Sequence, residues 1–219
     1  MKRVPAIALL LASSFATAAD FVDLRDAPAV RGDAAAGASK VAVCVACHGP
    51  SGNAVVPAFP ALAGQHAGYL YQSLAGFRRR ADPASPMTAQ VQSLTDADMA
   101  DIAAYFAAQS RTVPAAASST DAPGARLFRD GDATRGIVPC QGCHGADARG
   151  HPGRDVAARY DYYPALAAQQ AEYLAARLRQ YRAGTLTDTS NARIMQGVAH
   201  NLDDAAITEL AAWLTATPR

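Results

Sequence analysis

The chain has 219 residues, half of them apolar, with 20 basic and 19 acidic side chains and a formal net charge of +1. That length suits one large domain or two small ones, and the composition suits a packed globule rather than a disordered chain. The even charge balance leaves no basic field to gather nucleic acid.

Residues 1–19 read as a secretory signal: Lys2 and Arg3 form the basic start, Ala6 to Ala12 the apolar stretch and Ala16-Thr17-Ala18 a small-residue cleavage site. The apolar stretch is too short to span a bilayer, which takes about 20 residues. Removing Lys2 and Arg3 leaves 18 basic against 19 acidic residues. The implied destination is the periplasm, if the source is a Gram-negative bacterium. Residues 20–31 form an N-terminal extension without a recognisable pattern.

A first helix is expected from about Asp33 to Cys47, running into Cys44-Val45-Ala46-Cys47-His48. The same arrangement returns as Cys140-Gln141-Gly142-Cys143-His144, and the two motifs use all four cysteines. Two thiols one helical turn apart, followed at once by histidine, form the c-type haem attachment signature. Both thiols reach the vinyl groups of one porphyrin, and the imidazole falls under the iron. Zinc pairs fit poorly, because 92 residues intervene between Cys47 and Cys140. A thioredoxin-like pair lacks its strand–helix setting, and structural disulfides would not require the histidines. Two covalent haem c groups are therefore expected.

After each motif a Gly- and Pro-rich stretch (48–60 and 144–164) reads as a loop around the haem edge. Middle helices follow at 67–79 and 171–183, the first with Tyr69, Leu70, Leu74 and Phe77 on one face. A closing helix starts near Thr95, an N-cap with Asp98 three residues on. Its partner starts near Asp203 and turns Ile207, Leu210 and Leu214 inward. No segment alternates as a strand would, so the fold class is all-α. The boundaries expected are 32–112 for one domain, 113–122 for an Ala/Ser/Pro linker and 123–219 for the second. Such domains are small for an unaided core, and the haem supplies the apolar centre.

An internal repeat sorts the other residues. Pro60-Ala61-Leu62-Ala63 matches Pro164-Ala165-Leu166-Ala167 at an offset of 104. Tyr69-Leu70, Leu74 and Phe77-Arg78 match Tyr173-Leu174, Leu178 and Tyr181-Arg182 at the same offset. Leu94, Asp96 and Ile102 to Tyr105 match Leu202, Asp204 and Leu210 to Trp213 at 108. Met87 and Met195 also correspond at 108, in what read as matching loops, whereas Met99 corresponds to Ile207 and faces the core. The axial iron ligands expected are thus His48 with Met87 and His144 with Met195. A thioether raises the haem potential relative to a second imidazole. His66, His151 and His200 have no histidine counterparts and read as surface or loop residues. Arg78 and its match Arg182 have two readings: a solvated helix end suited to the helix dipole, or partners for haem propionates, the candidate role retained. Arg79, Arg80, Arg177 and Arg179 have the same two readings, with the solvated one preferred.

With these motifs, residues 32–217 resemble the cytochrome c4 family. The resemblance implies two class I cytochrome c domains in tandem, packed face to face, each haem ligated by His and Met. It implies that the carbonyls of Pro60 and Pro164 accept the N–H of the proximal imidazoles. It further implies an electron carrier, free or loosely membrane-associated, between a quinol-oxidising complex and a terminal oxidase. Two alternatives stand beside it: the cytochrome subunit of a dehydrogenase, for example with a flavoprotein, and a dihaem enzyme acting on sulfur compounds or peroxide. The enzyme would need an open or unusually ligated iron, and no cysteine is spare. Residues 20–31 and 150–163 are not placed by the resemblance.

Overall fold

The computed structural model describes residues 21–112, 119–153 and 157–217. The expected signal, and residues 113–118 of the expected linker, lie outside the described residues. The described chain is helical, with no strand and only isolated bridges at Val22–Thr189 and Asp132–Ile137.

The first half comprises α1 (Ala34–Ala38), α2 (Ala42–His48), α3 (Ala67–Arg80), α4 (Pro86–Val91) and α5 (Asp96–Ala107). The second comprises α6 (Pro123–Asp130), α7 (Gln141–His144), α8 (Ala171–Arg182), α9 (Ser190–Ala199) and α10 (Asp204–Ala216). The single helix expected over 33–47 is two. Ser39 ends α1, its hydroxyl donating to the Ala36 carbonyl at 2.8 Å, and Lys40 turns aside to Asp98 and Asp101, each at 2.7 Å. The break lets α1 lie along α5 while α2 carries the cysteines elsewhere.

The closing helix begins as expected. Thr95 accepts from the Asp98 amide at 3.1 Å while Asp98 accepts from the Thr95 amide at 3.0 Å, a reciprocal cap. Asp203 caps α10 through the Ala206 amide at 2.8 Å. In both halves the first helix crosses the last at a glycine. A Cβ on Gly37 would sit 2.2 Å from the Asp101 carbonyl oxygen, and one on Gly124 equally close, 2.2 Å, to that of Glu209. Any side chain there would push the helices apart. Ile102 and Phe106 anchor the first core, and Ile207, Leu210 and Leu214 the second, all buried. Met99 has no exposed surface, in keeping with its match to Ile207.

The two halves meet along the Pro-Ala-Leu-Ala stretches, where Gln65, Gln169 and Arg111 are buried. Arg111 donates to the carbonyls of Ala63 and Ala167, both at 2.9 Å, so one guanidinium holds both domains. His66 belongs to this interface and is not the surface residue expected: it is 2% exposed, with Nε2 3.3 Å from the Arg149 carbonyl. Its repeat counterpart Gln170 reaches the opposite way, donating to Ala54 at 2.7 Å. His200 is exposed, and His151 stacks on Tyr160 with ring centroids 3.9 Å apart. The 150–163 stretch, beyond three residues outside the description, forms a short 3-10 helix, Ala158–Tyr162, tied to α3 by the Gly68 amide donating to Asp161 at 2.6 Å.

Candidate functional site

Each attachment motif lies at the end of a short helix, so its cysteines and histidine face a common cavity. The first cavity is bordered by Cys44, Cys47, His48, Leu70, Ile102 and Phe106, and the second by Cys140, Cys143, His144, Leu174, Leu202 and Leu214. Counting their open mouths, the cavities hold about 2300 and 1740 Å³. Both are walled mostly by apolar side chains, as a porphyrin requires. No two of the four cysteines are joined as a disulfide, and the two pairs lie in different domains, so no zinc set forms among the described residues. Before a haem is attached, burial pushes the Cys140 thiol up to about 11 and raises that of Cys44 as well.

His48 and His144 are each 6% exposed. Their Nδ1 atoms lie 2.9 and 2.8 Å from the carbonyl oxygens of Pro60 and Pro164. A carbonyl can only accept, so Nδ1 carries the proton and Nε2 keeps its lone pair. Burial lowers both imidazole pKa values, which keeps the rings neutral. Neutral, oriented imidazoles are what a metal-ligating histidine requires.

Met87 and Met195 border the first and second cavity respectively. They occupy matching places, but on α4 and α9 rather than in loops. Pro86 at the first turn of α4, and the Thr189 cap of α9, which accepts from the Ala192 amide at 3.0 Å, explain why helices form there.

The two arginines expected at the propionates are engaged elsewhere. Arg78 donates to the Leu94 carbonyl at 2.9 Å and to Asp96 at 2.5 Å. Arg182 does the same with Leu202 and Asp204, both at 2.8 Å. These guanidiniums clamp the start of the closing helices, and neither borders a cavity. Arg80 and Arg177 border both cavities instead, together with Tyr69 and Tyr173, whose hydroxyls are 3.4 Å apart. Arg80 is paired with Asp188 at 2.9 Å. Among the described residues Arg177 donates to Tyr173, at 3.3 Å, and Gln180, at 3.1 Å; its Nε is shielded from solvent with no described partner, and no described carboxylate neutralises it. A half-buried guanidinium beside both cavities, with no described carboxylate against it, fits the acidic substituents of a haem. The repeat concealed this residue, because the position matching Arg177 in the first half is Ser73.

Two helical domains, each joining a thiol pair, a carbonyl-oriented imidazole and a methionine around one apolar cavity, define a dihaem c-type electron-transfer protein. The comparisons agree. The Cytochrome c family model matches residues 34–110 and again 122–218. Cytochrome c4 of Azotobacter vinelandii is 37% identical over 192 residues, covering 84% of this chain and 88% of its own. The crystal structure of reduced recombinant cytochrome c4 from Pseudomonas stutzeri superposes with a TM-score of 0.73 at 37% identity, covering 85% of this chain and all of that one. A protein named thiosulfate dehydrogenase electron acceptor, from Thiomonas intermedia, is 30% identical over the whole chain and 92% of its own length. The chain belongs to the cytochrome c4 family, and it binds two haem c groups covalently.

Proposed function

We propose that the protein is a periplasmic carrier that takes single electrons from a quinol-oxidising complex and passes them to a terminal oxidase. His48 and Met87 hold one haem iron, His144 and Met195 the other. The haem supplies a one-electron couple; the protein orients it, keeps water from it and sets its potential. With both axial positions held by side chains, no position is left for a substrate, which argues against an enzyme. The observation that carries this reading is that each cavity is bordered by its own histidine and one methionine, while Met99 is wholly buried in the core. Export is supported by the N-terminal pattern, and no described helix is long and apolar enough to cross a membrane. The domain boundary is assigned to residues 113–122. An anaerobic redox titration tests the proposal: two one-electron waves and no reaction of the reduced protein with carbon monoxide are expected. Carbon monoxide binding at one haem would reveal an open iron and favour an enzyme.

A second reading is electron acceptor to a dehydrogenase. It is favoured by the Thiomonas relative, whose match spans the whole chain whereas that of the Azotobacter protein spans 84%. Reduction kinetics with a quinol-oxidising complex and with a thiosulfate dehydrogenase distinguish the two, since the physiological donor reduces the protein faster.

A further inference from the structure

We propose that residues 22–28 act as a strap that holds the Met195 helix in place over the second haem cavity. This rests on Met195 as an iron ligand, and it gives the N-terminal extension a role the family likeness does not supply. The segment belongs to the start of the chain but lies on the second domain. The Val22 amide donates to the Asp188 carbonyl at 2.9 Å, and the Ser190 amide donates back to the Val22 carbonyl at 3.0 Å. The Leu24 amide donates to the Ser190 hydroxyl at 2.9 Å. These bonds grip Asp188 and Ser190, on either side of the Thr189 cap at which α9 begins.

Leu24 is 3% exposed and itself borders the second cavity. Further along, the Pro28 carbonyl accepts from the Tyr162 hydroxyl at 2.5 Å, and the Tyr162 carbonyl accepts from Asn191 of α9 at 3.4 Å. The strap, the inserted 3-10 helix and the first turn of α9 thus interlock. Among the described residues the first domain has no counterpart: no side chain caps α4, and residues 81–84 before it are exposed.

A helix of ten residues is marginal alone and depends on tertiary contacts. Segments with few such contacts open locally without global unfolding. The strap adds backbone hydrogen bonds and one buried leucine to the helix that carries the ligand. Opening of the second site therefore becomes rarer, and Leu24 is a positioning residue for Met195.

The test uses the full-length protein carrying both haems. Deletion of residues 22–28 and Leu24→Ala are compared with Met195→Ala and, as a mild variant should the others fold poorly, Tyr162→Phe. Hydrogen exchange is measured across 189–199 and 86–91, and cyanide binding to the oxidised haems is followed in time. The strap predicts exchange in 189–199 at least roughly tenfold faster in the deletion, with 86–91 unchanged. Cyanide should bind one haem faster by a similar factor, and Tyr162→Phe should move both readouts the same way by less. Unchanged exchange at 189–199, or equal acceleration in both segments, overturns the strap. Retention in Met195→Ala of the full near-infrared sulfur-to-iron band overturns the ligand assignment instead, and the exchange result still judges the strap.

Discussion

Gln65 and Gln169 are partners in the repeat and make one exchange in both directions across the domain boundary. Gln65 donates to the Ala165 carbonyl and accepts from the Ala165 amide, each at 2.8 Å. Gln169 donates to the Ala61 carbonyl at 2.9 Å and accepts from the Ala61 amide at 2.7 Å. The stretch that orients each proximal histidine is thereby fixed by the other domain.

Gln65→Ala leaves both polar groups of Ala165 without their partner inside the interface, at about 1–3 kcal/mol for each buried group stranded. Calorimetry should then resolve two domain transitions where the parent shows a more cooperative one. Gln169→Ala should act alike through Ala61.

Met87→Ala and Met195→Ala should each remove about half of the near-infrared sulfur-to-iron band, because each leaves one haem with its thioether. Each should also lower one potential or open one iron to cyanide. Met99→Leu, a nearly volume-conserving change in a packed core, should leave the spectrum intact and cost less than about 1.5 kcal/mol in a denaturant titration.

Arg177→Gln should lower both haem potentials, since a nearby cation favours the reduced, less positive iron and Arg177 borders both cavities. Arg78→Gln should leave the potentials in place and affect stability alone, through the lost tie to Leu94 and Asp96. Potentiometry paired with thermal melts separates the two outcomes. Equal potential changes in both variants would return the propionate role to Arg78.

Thr95→Ala removes one half of the reciprocal cap on α5 and should cost about 1 kcal/mol, within the usual range for such caps. The midpoint of denaturant unfolding reports it. The haem spectrum should be unaltered, because Thr95 borders neither cavity.

Covalent chemistry and periodicity made much of this protein readable from its residues. The thiol–imidazole motifs and the capped closing helices need only local spacing, the repeat brought Met87 and Met195 to matching places though on helices rather than in loops, and the helical pattern carried Met99 and Ile207 into the cores. What escaped depends on contacts between elements far apart in the sequence. His66 resembles a loop histidine until docking buries it. Arg177 has no counterpart in the first half, so a comparison of the halves passed over it. Arg78 and Arg182 do match, but their shared task is clamping a helix end. Gly37 and Gly124 are ordinary glycines in sequence, and only the crossing of first and last helices shows why they are needed.

That crossing bears on the order in which the molecule is assembled. Because α1 packs on α5 and α6 on α10, neither cavity closes until its last helix has been made. A chain growing from its N-terminus can complete the first domain while the second is still emerging, so two short-range closures replace one long one. Residues 22–28 follow the opposite schedule. Made among the first, they cannot close on the second domain until Asp188 to Ser190 have been made.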